Sequence, residues 1–309
     1  MRKIFVGLII LSLITVGIAY TTKQSNTEIQ PLSINNVKGF RTTSFVLNTT
    51  LPKVPKKLMV YECVEPNVTL EYASLLAKRF GMNGQPEKVF DELVLTDGNY
   101  HLEVNTKSGR IAYTDASRWM VGNDVDKPSN LPSDGEAIKI VRNYLSEKGL
   151  MPADAILRDV THPRVVAMDK VGDVIGIGFE DVKVSFTRKI NGLPVVGAGS
   201  KLDVEVGGNG DVINVYKVWR NYRPYKEYSI ITPEQALEKL KEIGIFTGIK
   251  SVDKAVINKV YLGYYTKSAS EKQTYLQPVY VFEGYAKGEN RTEEFKQYIP
   301  AIPDLGGIQ

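Results

Sequence analysis

DVKVSFTRKI-NG-LPVVGAGSKLDVEV-GGNG-DVINVYKVWRNY occupies Asp181–Tyr222 and sets the pattern for the chain. Val182, Val184, Phe186 and Ile190 alternate with Lys183, Ser185, Thr187 and Lys189. Leu202, Val204 and Val206 alternate with Asp203 and Glu205. A period of two with β-branched residues predicts strands with one buried face. Asn191-Gly192 predicts a tight hairpin turn, because both residues tolerate positive φ. Gly207-Gly208-Asn209-Gly210 closes a second hairpin for the same reason. The expectation is an antiparallel meander, wet on one side and covered by a helix on the other.

Outward from this stretch, a short amphipathic helix followed by strands recurs three times. Leu70, Ala73, Leu76, Ala77 and Phe80 share a helical face that ends near Gly81. Strands then flank Asp97-Gly98-Asn99 and Ser108-Gly109. Ser133 and Glu136 have capping-box spacing ahead of Ala137, Val141, Tyr144 and Leu145. Thr232, Pro233 and Gln235 open the third helix, with Ala236, Leu237, Leu240 and Ile243 as its stripe. Strands near Ala255–Tyr265 and Thr274–Tyr285 follow. The expected class is α+β, built from repeated units of a short helix packed on an antiparallel meander sheet. The first unit spans 58–130, and tandem units fill 131–309.

Residues 1–20 read as a membrane anchor or signal peptide. Arg2 and Lys3 precede the uncharged run Ile4–Tyr20, which as a helix spans about 25 Å. Gly17 and Ala19 are small at the spacing of a cleavage site, so a cleaved and secreted form is the alternative. No cysteine lies near Ala19, and a lipoprotein anchor is not expected. Residues 21–57 are polar, then carry the Pro- and Lys-bearing run Leu51–Lys57, and read as a linker. Leu58–Val64 is a candidate first strand. Asn48, Asn67 and Asn290 each head a glycosylation sequon.

The 309 residues suffice for more than one domain. A net charge of +4 is mild and does not call for nucleic acid. One cysteine, Cys63, permits no intramolecular disulfide, and it reads as a buried apolar residue or a free thiol. Two histidines and one cysteine are too few for a structural zinc site. His101 and His162 read as structural. Asn123, Asp124 and Asp126 read as a polar loop, lacking the glycine and distal glutamate of a calcium loop. No HExxH, GxSxG, Walker A or CxxC motif is present, and no cofactor or catalytic residue is expected.

Phe186, Asn191-Gly192-Leu193-Pro194-Val195, Gly210, Thr232–Leu237 and Pro278–Phe282 together resemble the PepSY-type and YycI-type extracytoplasmic domains. The resemblance implies a single-anchor protein, folded outside the membrane, that restrains a sensor kinase. Related propeptide domains of thermolysin-like proteases inhibit and chaperone a protease. The chain reaches Gln309 without an HExxH helix, so that role is not expected in cis. The implied function is non-catalytic regulation of a membrane sensor or protease in trans. A structural or polymer-binding role in the cell envelope is the alternative.

Between the meander and the third helix, Tyr216, Trp219, Tyr222, Tyr225 and Tyr228 recur every third residue. Lys217, Arg220, Arg223 and Lys226 recur one place later. An extended three-per-turn helix would align each set as a stripe. A strand followed by a packed connection is the other reading. On the first, Arg220, Tyr222, Arg223 and Tyr225 are the expected exposed partner-binding residues.

Overall fold

Two eight-stranded sheets carry the fold in the computed structural model, which describes residues 29, 32, 34, 42–118, 130–168, 170–179 and 181–303. β1 (Thr42–Leu47) and β2 (Lys57–Val64) precede α1 (Leu70–Arg79). β3 (Glu87–Val89), β4 (Glu92–Asp97), β5 (Tyr100–Asn105) and β6 (Ile111–Asp115) lead to α2 (Asp134–Glu147). β7 (Ile156–Thr161), β8 (Arg164–Met168), β9 (Val174–Phe179) and β10 (Val182–Thr187) follow. Next come β11 (Lys189–Ile190), β12 (Leu193–Gly197), β13 (Ser200–Val206) and β14 (Val212–Trp219). β15 (Asn221–Ser229), α3 (Pro233–Ile243), β16 (Val252–Thr266), β17 (Tyr275–Lys287) and β18 (Thr292–Pro300) complete the order.

The first sheet has the order β3-β4-β5-β6-β14-β13-β10-β7. The second runs β11-β12-β16-β17-β2-β15, with β1 added to β16 and β18 to β17. Among the described residues, β8 and β9 pair only with each other.

The expected α+β class is corrected. Strands hold 49% of the described residues and helices 16%, a mostly β fold on two large sheets. The helices do not each own a meander. Ala73, Leu76 and Ala77 of α1 share one core with Ala137, Val141 and Leu145 of α2, over Leu102, Val104, Phe186 and Val204 of a single sheet. Ala236 and Leu240 of α3 pack on the second sheet against Ile257, Tyr280 and Phe282.

The local signals themselves are in place. Thr69 Oγ1 accepts the Tyr72 N–H at 3.1 Å at the start of α1. Ser133 with Glu136, and Thr232 with Gln235, form capping boxes. What the period-two pattern does not report is which strand lies alongside. β10 pairs directly with β13, setting Val184 opposite Val204. The β11–β12 hairpin between them leaves for the second sheet. There Val195 and Val196 lie parallel to Tyr264 and Tyr265 of β16. β14 returns to the first sheet, and β15 pairs antiparallel with β2 in the second. Asp181–Tyr222 is therefore three crossings between sheets, at Arg188, at Ala198–Gly199 and at Arg220.

β1, parallel to β16, falls within the stretch read as linker, so Thr42–Leu47 is sheet rather than spacer. The expected anchor in 1–20 and the loop holding Asn123, Asp124 and Asp126 lie outside the described residues. Among the described residues, no helix is long and apolar enough to cross a membrane.

At the expected hairpin turn, Asn191 has φ 48° and Gly192 has φ 80°. A Cβ on Gly192 would meet nothing within 4 Å, so a side chain there costs only backbone strain. Gly192→Val is expected to lower stability by about 1–2 kcal/mol, read as a lower denaturation midpoint. An unchanged midpoint would reject this turn.

Candidate functional site: a cationic cleft at the crossings

Where the chain crosses between the sheets, a cleft of about 820 Å³ opens. Arg188, Lys217, Trp219, Arg220, Tyr222 and Asp154 line it.

Arg188 is the single residue between β10 and β11, and it is 4% exposed. Its guanidinium lies 5.2 Å from the Trp219 ring and 4.6 Å from the Tyr222 ring. Cation–π attraction to two rings holds the group while leaving its planar edge free to donate. Among the described residues its one ion-pair partner is Asp154, with Nε 3.5 Å from Oδ2, and Nε has no hydrogen-bond acceptor. Burial pulls the Arg188 pKa below the ordinary arginine value, opposed by Tyr222 and Asp154. Asp154 Oδ1 accepts the Trp219 Nε1–H at 2.9 Å and so fixes that ring.

Tyr222 is half-buried, and its Oη is enclosed without a protein partner. Burial pushes its pKa well above the ordinary tyrosine value. Lys217 Nζ donates to the Leu150 carbonyl at 2.8 Å. Burial pushes its pKa down from 10.5 to about 8.

The sign of that shift makes a prediction. A lysine with a lowered folded pKa is held with a penalty wherever both states are charged, below about pH 8. The unfolded chain binds the proton more tightly between about pH 8 and 10.5, so stability rises with pH in that window. Lys217→Met removes this contribution. The melting-temperature difference between wild type and Lys217→Met should be flat below pH 8, then move in favour of wild type up to pH 10.5. A difference that stays constant through this window would place Lys217 in water.

Arg220 is the single residue between β14 and β15 and is also 4% exposed. Its Nη1 donates to the carbonyls of Gly199 (3.5 Å) and Lys267 (3.1 Å). Its Nη2 donates to those of Ser268 (2.7 Å) and Glu271 (2.8 Å). A Cβ on Gly199 would sit 1.9 Å from the Lys267 carbonyl oxygen, so only glycine lets the two loops close on this guanidinium. Arg220 pins one crossing to another.

Of the four residues expected to form an exposed stripe, two meet in the cleft. Arg220 is buried rather than exposed, which corrects that expectation, and Tyr222 turns its ring to Arg188. Arg223 and Tyr225 are exposed but do not line the cleft. Arg223 donates through Nε to Glu62 Oε2 at 2.8 Å, and Tyr225 lies 5.0 Å from the Tyr275 ring. The three-per-turn helix is replaced by strands β14 and β15, since β15 finds a partner in β2. Asp154 and Arg188 were missed as site residues. Arg188 had a signal: it continues the buried phase of Val182, Val184 and Phe186, where an arginine is out of place.

Cys63 is buried, and burial pushes its thiol up to about 12, so it is protonated at neutral pH. His101 bonds Thr96 and Glu103, and His162 bonds Asp134. Asn48, Asn67 and Asn290 are exposed, and Asn67 sits on the rim of the cleft.

No family model and no curated protein matches this chain. The chain is similar to the crystal structure of an uncharacterized protein from Eubacterium rectale ATCC 33656, at 12% identity and a TM-score of 0.40, over 90% of this chain and 92% of that one.

Proposed function

We propose that this chain is a non-catalytic binding protein that regulates a membrane sensor or protease in trans from the outer side of a cell membrane. Its N-terminal segment holds it there, or releases it if cleaved, and sequons at Asn48, Asn67 and Asn290 suit an exported chain. The observation that carries the reading is the cleft. It offers cationic donors and aromatic walls, which suit recognition. Its polar groups do not include a nucleophile paired with a base, and the neighbouring thiol of Cys63 is held protonated. The resemblance to PepSY-type and YycI-type domains supplies the class of partner.

Photo-crosslinking tests it. A photoreactive residue replaces Asn221, which is exposed on the cleft wall, and in a control replaces Phe90, which is 93% exposed outside it. The reading expects a membrane-spanning sensor or protease captured from position 221 and not from position 90. Equal capture from both would remove the cleft from the account. Capture of envelope polymer instead would favour the structural or polymer-binding role.

A further inference from the structure

We infer that Arg188 receives a carboxylate from an acidic side chain of an extended peptide seated in the cleft. This rests on the binding reading above and names the chemistry of the occupant.

The guanidinium is prepared for such a ligand. It is 4% exposed, clamped between the rings of Trp219 and Tyr222, and lines the cleft without a hydrogen-bonding acceptor among the described residues. A buried arginine serving only the fold ordinarily spends its donors on carbonyls, as Arg220 does here with four. Asp154 pairs with Nε at 3.5 Å but accepts no hydrogen bond from it, and it is committed to Trp219 through its other oxygen. The Tyr222 hydroxyl beside it also lacks an acceptor. Donors are therefore left over and acceptors are missing.

Charge selects the anion. Arg188, Lys217 and Arg220 line the cleft with Asp154, so three cations against one carboxylate leave two positive charges and call for an anion. One carboxylate on Arg188 balances half of that, and the rest sits with Arg220, whose guanidinium four carbonyls already take up. A planar carboxylate also matches the two parallel N–H groups of a guanidinium edge. Size selects the source. About 820 Å³ is far more than one carboxylate fills, and the apolar walls Tyr61, Val64, Pro66, Ile111 and Ile190 suit flanking side chains.

Selection from a display library of short random peptides, with the full chain in detergent, tests the inference. Wild type is expected to enrich peptides with Asp or Glu fixed at one position. Binding is then read as a change in Trp219 fluorescence in a Trp119→Phe background, because the chain has two tryptophans. Replacing the fixed acid by its amide in the best peptide should weaken binding roughly tenfold or more, and this arm needs no change at Arg188. Arg188→Lys keeps the charge but loses the fork and should weaken binding almost as much. Peptides enriched without an acid, or an amide form that binds equally, overturn the inference. So does free succinate binding as tightly as the peptide, which would make this a small-molecule site. If crosslinking from Asn221 succeeds while these peptide arms fail, the binding reading stands and the carboxylate assignment falls.

Discussion

Arg220→Ala is expected to lower stability by about 3–5 kcal/mol. The side chain is buried and bridges carbonyls from the β12–β13 connection and from the β16–β17 loop. Removing it takes this donor from the Gly199, Lys267 and Glu271 carbonyls, at about 1–3 kcal/mol for each left dry and unpaired, while the Ser268 carbonyl keeps the Glu271 N–H. Arg220→Lys should recover only part of the loss, because a point ammonium cannot span the carbonyls a planar fork reaches. Arg223→Ala should change little, since Arg223 is exposed to solvent and its partner Glu62 is only half-buried. Chemical denaturation checks all three. An Arg220→Ala protein that unfolds at the wild-type midpoint would show that the crossings do not depend on this residue. The same result explains why Arg220 is a poor probe of partner binding: its loss damages the wall of the cleft itself.

Tyr280→Ala carries the second large effect, about 3–5 kcal/mol. Tyr280 is fully buried in β17, within the core that α3 covers. Its hydroxyl donates to the Ile231 carbonyl at 2.7 Å, one residue before the Thr232 cap of α3. Tyr280→Phe keeps the ring and loses that bond, so it should cost about 1 kcal/mol. The gap between the two variants measures ring packing alone. Equal losses would mean that α3 hangs on the hydrogen bond and not on the core.

These two residues also mark what could be read from sequence. Helix starts at Thr69, Ser133 and Thr232, and the Asn191-Gly192 turn, depend on residues within a few positions of one another. They were legible for that reason. Strand partners were not. β10 with β13, β12 with β16, and β15 with β2 are pairings that alternation alone cannot select. The site followed the same division. Lys217, Trp219, Arg220 and Tyr222 stood out by their periodicity, but a third-residue repeat could not say that two sheets would fold over them. Arg188 could have been flagged, because an arginine in phase with Val182, Val184 and Phe186 must be either buried or at a break in the strand. It is both.

The central claim is that Asp181–Tyr222 leaves and rejoins the first sheet, so that its crossings build the cleft. Val196 decides it. In a plain meander, extending the register of Lys189 with Pro194 would put Val196 opposite Thr187. In the crossing arrangement, Val196 pairs with Tyr265 and packs with Val279 and Val281. Methyl NOE spectroscopy on valine- and threonine-labelled protein separates the two. The account predicts contacts from the Val196 methyls to Val279 or Val281. Strong contacts between Val196 and Thr187, with none to Val279 or Val281, would restore the single meander and leave the cleft without its walls.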